Sequence, residues 1–569
     1  MRTSRRNPTT ALAVFGGLTL LVWRVAADAP PAGGPATPLF DVADNCLACH
    51  NGLIGASGAD VSVGTDWRSS MMANAARDPY WHAAVRRETL DHPSAAADIE
   101  AECSICHMPM ARYTAHAGGG RGEVFANLPV GRSIAPQAAL AGDGVSCTLC
   151  HQILPEGLDS RESLVGRFVV DERTAWGARR IFGPFDVTGG HARVMSSAAQ
   201  FVPQAGEHIR GSALCGSCHT LFTHSLGPGG EVVAEFPEQV PYLEWQHSRY
   251  PATTGCRDCH MKPVDGPTLI SSVLGEYREG VLAHVFRGGN FFVPRLLNAH
   301  RAELGVAALP SELEATAERT VVHLRENAAQ IALAAERTGS ALRVRVTVRN
   351  LAGHKLPSAY PSRRVWLHLA VEDGGGRVLF ESGALQPDGS IAGNDNDADA
   401  ASYEPHHAVI ESADQVQIYE PILGDPDGRV TTGLLTATRY LKDNRLLPDG
   451  FDKATAGPDI AVAGDAASDE DFTAGGDTVE YRLTLPEDAG NVAVRAALYY
   501  QPIGYRWAHN LDDDRQAEEL ARFVDYYQAA ADRSAVRLAA AEAVLTAAPV
   551  EPPSTVAAGG SLQAPPVAR

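Results

Sequence analysis

All ten cysteines of this 569-residue sequence fall into C-x-x-C pairs: Cys46 with Cys49, Cys103 with Cys106, Cys147 with Cys150, Cys215 with Cys218, and Cys256 with Cys259. A histidine follows each pair at once: His50, His107, His151, His219 and His260. Two thiols three positions apart can add to the two vinyl groups of one haem, and the next residue then points an imidazole at the iron. A zinc site or a thioredoxin-type motif accounts for the paired cysteines but not for the histidine after every one of them. Structural disulfides leave the same histidines unexplained. With 20 histidines in 569 residues, chance puts one after all five pairs with a frequency of about 5 × 10⁻⁸. The expectation is five covalently bound c-type haems, each with a motif histidine on its iron.

The motifs run from residue 46 to residue 260, a stretch of 215 residues. A compact region of that length has a radius of gyration of about 17 Å, so five evenly dispersed haems lie about 20 Å apart. Macrocycles that close form a conducting series, which an isolated catalytic haem does not need. Arg2, Arg5 and Arg6 followed by the apolar run Ala11 to Trp23 and by Val25, Ala26 and Ala27 read as a signal peptide over 1–27. The alternative is an uncleaved membrane anchor, since only the length of the apolar run separates the two. Either way the bulk of the chain is expected in the periplasm or outside the cell. The formal charge of −20 argues against nucleic acid and points to redox partners with basic surfaces.

A linker is expected over 28–40, rich in Pro, Ala and Gly, and a haem region of short helices and loops over 41–305. The pattern then changes to a β-rich region over 306–510. Ser311 and Glu314 read as a capping box for a helix reaching about Arg325. Leu342, Val344, Val346 and Val348 alternate with Arg343, Arg345, Thr347 and Arg349, the period of a half-buried strand. Val365 to Val371 alternates likewise and runs into the turn Asp373 to Gly376. Val479 to Leu485 and Val492 to Leu498 supply two more strands. The fold class expected is multidomain α+β: a helical, loop-rich multihaem domain, then an immunoglobulin-like β-sandwich, then a C-terminal helix within 511–546. The tail 547–569 is rich in Pro and Ala and reads as disordered.

The chain resembles multihaem c-type cytochromes related to the tetrahaem electron acceptor of hydroxylamine oxidoreductase. The stretches that carry the resemblance are CSICHMPM at Cys103, HIRGSALCGSCHT ending at Thr220, FPEQVPYLEW ending at Trp245, HVFRGGN from His284, GHKLPSAYPSRRVWLHL from Gly353 and KDNRLLPDGFDK from Lys442. Together they cover most of residues 46 to 510. The resemblance implies electron transfer as the function and a second axial ligand for most of the irons.

His208, His284 and His354 are the first candidates for those second ligands, and His247 and His406 the next. His208 lies seven residues before Cys215 in a segment like the distal-ligand segment of the related cytochromes. Glycines after His284 let backbone approach a haem face. His354 sits between two strands in a Gly- and Pro-flanked loop. The remaining non-motif histidines, His323 and His82 among them, read as solvated or core residues. An internal echo adds one candidate: Trp67, Ser70 and Met72 match the spacing of Trp245, Ser248 and Tyr250. In the related cytochromes a histidine often stands at the third place, so Met72 is a candidate sulfur ligand, with an ordinary core methionine as the alternative. Asp395, Asp397 and Asp399 alternate in an acidic loop that reads either as solvated or as a calcium site.

The function expected is an electron carrier, with a multihaem oxidoreductase acting on a small nitrogen or sulfur species through one open iron as the alternative. The lysine-ligated C-x-x-C-K variant of one such enzyme class is absent from the sequence. A further reading makes the β-sandwich a docking module for a membrane redox complex.

Overall fold

The computed structural model describes residues 38–546. The leader over 1–27, most of the linker and the tail 547–569 lie outside the described residues. Among the described residues no helix is long and apolar enough to cross a membrane.

Every cysteine pair lies on or beside a short helix: Asp44–Leu47, Ala96–His107, Cys147–Cys150, Ser212–Gly216 and Cys256–His260. The longest helix of this half, Pro79–Asp91, starts where the Asp78 carboxylate accepts the N–H groups of Tyr80 and Trp81, and stops ahead of Pro93. The region is not purely helix and loop. Arg179–Gly183 pairs in parallel with Phe201–Ala205, and Leu221–Leu226 forms a hairpin with Val232–Gln239.

The helix expected after residue 311 spans Pro310–Asn327, but its cap differs. Pro310 occupies the first helical position, where no N–H is needed, so the cap falls on Leu309, whose N–H donates to the Glu312 carboxylate at 2.9 Å. Two sheets follow. In one the order is Val409–Ile410, Gly476–Thr484, Ala341–Asn350, Ala329–Thr338. In the other it is Val378–Ser382, Arg364–Asp373, Val492–Gln501, Val536–Leu545, with Ile418–Tyr419 also on Arg364–Asp373. Only Val409–Ile410 runs parallel to its neighbour. Leu342, Val344, Val346 and Val348 meet Leu367, Leu369, Val479, Val494 and Leu498 in one buried cluster, so the two sheets share a core.

The alternation expected in Arg364–Asp373 is masked, because both of its faces are covered. Leu367 and Leu369 face the shared core, while Trp366 packs under Ile391, Val416 and Ile418 of a segment that folds back over the outer face. The C-terminal helix is corrected. Helix Glu518–Gln528 is followed by a strand, Val536–Leu545, paired along Val492–Gln501 from Val536 opposite Tyr500 to Leu545 opposite Val492. Alanine-rich residues 539–543 carry no strong preference of their own, and the open N–H and C=O groups of Val492–Gln501 decide for the strand.

The two halves share one core, which runs from Tyr80, Phe222 and Phe291 into the sheets, and the described residues belong to a single compact unit. Helix Glu518–Gln528 belongs to the knit: Phe523 meets Tyr80 at 5.0 Å between ring centres, and Glu519 pairs with Arg86 at 2.9 Å.

Ending the chain after Ser534 removes the last strand, with buried Val536 and Leu538. We expect a loss of at least about 3 kcal/mol from those two side chains, and self-association through the exposed edge. Chemical denaturation and size-exclusion chromatography check this; a dispensable terminal helix would leave both unchanged.

Candidate haem centre

Each motif closes as one helical turn, which sets the two thiols and the imidazole on one side of the backbone. The His50, His151 and His219 N–H groups donate to the carbonyls of Cys46, Cys147 and Cys215 at 3.0, 3.1 and 2.9 Å. An imidazole that binds a metal through one nitrogen carries its ring proton on the other, and an acceptor for that proton fixes the ring. Four motif histidines have that acceptor, always a backbone carbonyl at Nδ1: Ile270 for His50 at 2.5 Å, Ala75 for His107 at 2.9 Å, Phe182 for His151 at 2.5 Å and Arg287 for His260 at 2.6 Å. Nε2 is left with a lone pair in each. Burial holds His107 and His260 neutral by lowering both to about 4, and it lowers His151 and His219 as well.

The motifs lie close enough to act on one another electrostatically. The thiols of Cys46 and Cys147 perturb each other's ionisation, as do those of Cys215 and Cys256, while Cys218 acts on both Cys106 and Cys150. First meets third, fourth meets fifth, and the fourth also reaches the second and third. None of the ten cysteines is paired in a disulfide.

Two candidate second ligands face motif histidines. An imidazole nitrogen sits about 2.0 Å from a bound metal and about 1.1 Å from its own ring centre, so two histidines across one ion have centres about 6.2 Å apart. His151 and His284 stand 6.4 Å apart with ring planes 24° from parallel, and His260 and His354 stand 6.3 Å apart at 13°. The outer partners are also tied at Nδ1, His284 to the Leu282 carbonyl at 3.2 Å and His354 to that of Lys355 at 2.8 Å. The fit to haem is thus carried by ring protons all turned away from the shared space. His323, which the sequence offers only as a solvated or core residue, lies on helix Pro310–Asn327 with its ring centre 6.1 Å from that of His260 and 65° from parallel. One turn of spacing on a polar helix face gave no signal for it.

Other candidates are placed differently. The Nε2 of His208 is engaged with the Ile153 carbonyl at 2.9 Å, and that of His247 with the Asp452 carbonyl at 3.0 Å. His406 is corrected: it lies inside the β-region with both nitrogens used. Its Nδ1 accepts from Gln417 and Asn444, whose amide oxygens are fixed by the N–H groups of His407 and Glu420. The ring proton therefore stands on Nε2, facing Asp469 at 3.2 Å. The same tautomer argues against a metal among His406, Asp469 and Asp477, although their ligand atoms lie within 4.8 Å. The calcium reading also fails on geometry. Asp397 is committed to Arg364 and the Ile391 N–H, both at 2.8 Å, Asp399 accepts from Ala401 and Ser402, and among the described residues Asp395, Asp397 and Asp399 form no convergent group.

The tryptophan echo is a repeated structural unit. Trp67 Nε1 donates to the Val145 carbonyl and Trp245 Nε1 to that of Thr254, each at 3.0 Å, and each acceptor stands two residues before a motif, at Cys147 and Cys256. Half-buried Met72 sits beside the third motif, its carbonyl taking the Val145 N–H at 2.9 Å. Tyr250, the matching residue, donates its hydroxyl to the Leu351 carbonyl at 3.0 Å.

No protein-family model and no curated relative matches the chain. A solved structure that it is similar to is the penta-haem cytochrome c552 of Thermochromatium tepidum, at 16% identity over 90% of this chain and 100% of that one, with a TM-score of 0.48.

Near the second motif, burial and the neighbouring Glu88 push the Glu238 carboxyl up to about 8, and burial pushes Glu88 to about 7. Both charges bear on Cys103. The folded chain keeps the Glu238 proton where the unfolded chain, at its ordinary 4.5, has released it. This stability is complete below 4.5 and is lost as pH rises through about 8. Glu238→Gln should flatten that loss, raising stability at pH 9 relative to the parent more than at pH 5; equal shifts at both would refute the titration.

Proposed function

We propose that the chain is an exported pentahaem c-type cytochrome that carries electrons between protein partners. The observation that carries the reading is the histidine after each of the five cysteine pairs, four of them with Nδ1 bound to a backbone carbonyl and Nε2 left for a metal. When bound, each haem supplies a one-electron iron couple. The protein's part is to hold and orient. The carbonyls fix each imidazole's rotation and tautomer and raise its basicity, and the thiols anchor the ring edge.

The mutual influence of the five motifs' thiols on one another's ionisation supports a continuous series rather than scattered sites. In this reading His151 with His284, and His260 with His354, would be the residues that hold two of the irons. The β-region, read as an immunoglobulin-like sandwich, contributes His354 and is more than a docking module. The net charge of −20 favours partners with basic surfaces, and the signal peptide read over 1–27 favours the periplasm or beyond.

The test is the intact mass and the ferric spectrum of the exported protein, taken with and without nitrite or hydroxylamine. We expect a mass exceeding the polypeptide by five haems and a low-spin spectrum that neither molecule changes. Four haems or fewer would refute the count, and a spectrum shifted by either molecule would favour the oxidoreductase with an open iron. His284→Ala should convert one haem to high spin with all five still attached.

A further inference from the structure

Of the two histidines that face a motif histidine as a pair, His284 and His354, only His354 comes from the β-region, and its loop is tied by several hydrogen bonds. Asn350 donates its amide to the His354 carbonyl at 2.9 Å. The next residue, Lys355, is fully buried, and its backbone N–H donates to Glu244 Oε2 at 3.1 Å. The Ser358 hydroxyl donates to the same oxygen at 2.6 Å. The Lys355 ammonium donates to Asp443 Oδ2 at 2.6 Å and to the Ala461 carbonyl at 3.1 Å. Arg445 grips Asp443 with two bonds of 2.8 Å and pairs with Glu244 Oε1 at 2.9 Å.

Two cations and two anions thus form a closed, neutral quartet with no side chain more than 3% exposed. Glu244 is the member from the haem region, on helix Pro241–Gln246 between the fourth and fifth motifs, while Lys355, Asp443 and Arg445 come from the β-region. Gly353 rests on the same helix's surroundings, since a Cβ there would lie 3.4 Å from both Trp245 and Tyr250. A neutral buried quartet adds little net stability over an apolar core; what it supplies is a directional join between two segments. That join falls one residue from His354.

We propose that Glu244 is a positioning residue: with Lys355, Asp443 and Arg445 it locks the loop so that His354 stands opposite His260 and closes the iron of the fifth motif. This rests on the reading of His260 and His354 as an axial pair. The loop's two bonds to Glu244 both end on Oε2, while Oε1 faces Arg445, so glutamine keeps a carbonyl for Lys355 and Ser358 and gives up only the Arg445 pair, whereas alanine gives up all three; comparing Glu244→Ala with Glu244→Gln therefore separates the tie to the loop from the loss of charge.

The experiment uses full-length holoprotein and counts carbon monoxide bound per chain by the ferrous form, with the ferric low-spin signals and reduction potentials read alongside. His354→Ala should bind one carbon monoxide more than the parent. Glu244→Ala should open the same haem, with a downshifted low-spin share for that haem alone, while Glu244→Gln retains at least half of the parent's closed state. The double variant His354→Ala with Glu244→Ala should bind no more than His354→Ala alone.

If His354→Ala opens a haem and Glu244→Ala leaves binding and potentials at parent values, positioning by Glu244 is overturned and the axial pair stands. If His354→Ala changes nothing, or His323→Ala opens the haem in its place, the axial pair falls and the proposal with it. Should Glu244→Ala yield no folded protein, Ser358→Ala and Tyr250→Phe decide. Each loosens one tie of the loop and should raise carbon monoxide binding at the fifth haem, and parent values in both would overturn the proposal.

Discussion

A histidine that gives Nε2 to a metal keeps its proton on Nδ1, and the ring is held in place when that proton has somewhere to go. In this protein that somewhere is backbone from distant segments: Ile270 for His50, Phe182 for His151, Arg287 for His260. The irregular stretches between motifs thus have a definite task, since they bring carbonyls to the outer side of each imidazole. Short helical turns make the motifs, and the loops orient them. The same rule separates His284 and His354, with Nδ1 tied and Nε2 free, from His406, whose proton is forced onto Nε2 by two fixed amides.

The second dependence is the joining of the halves. Helix Glu518–Gln528 packs back on Pro79–Asp91, while the strand Val536–Leu545 closes the sheet that holds Arg364–Asp373. The loop carrying His354 is fastened to the haem region by hydrogen bonds from Lys355, Ser358 and Tyr250. A rigid two-sheet scaffold presents a loop with little conformational freedom, which suits a side chain whose position must hold within a fraction of an ångström.

Much of the architecture was legible before any coordinates. The alternation Leu342 to Arg349 is a half-buried strand as read, because one face meets the shared core and the other meets solvent. Arg364–Asp373 was legible as a strand but not as a doubly covered one, since the segment over Trp366 comes from residues beyond 384. The last strand was misread as helix because alanine-rich periodicity fits both, and only the open edge of Val492–Gln501 discriminates. His323 was missed because a lone histidine on a charged helix looks the same whether it faces solvent or another histidine.

The sequence by itself determined the chemistry. Five C-x-x-C-H units prescribe thiols and imidazole on one turn, a local requirement set by covalent spacing and helical geometry. Tertiary structure alone decided which second histidine faces which motif, and which nitrogen of each ring bears the proton. Those depend on approaches such as that of His354 to His260, between residues far apart in the chain. Their partners are backbone carbonyls, which every residue carries, so no side-chain pattern could announce them.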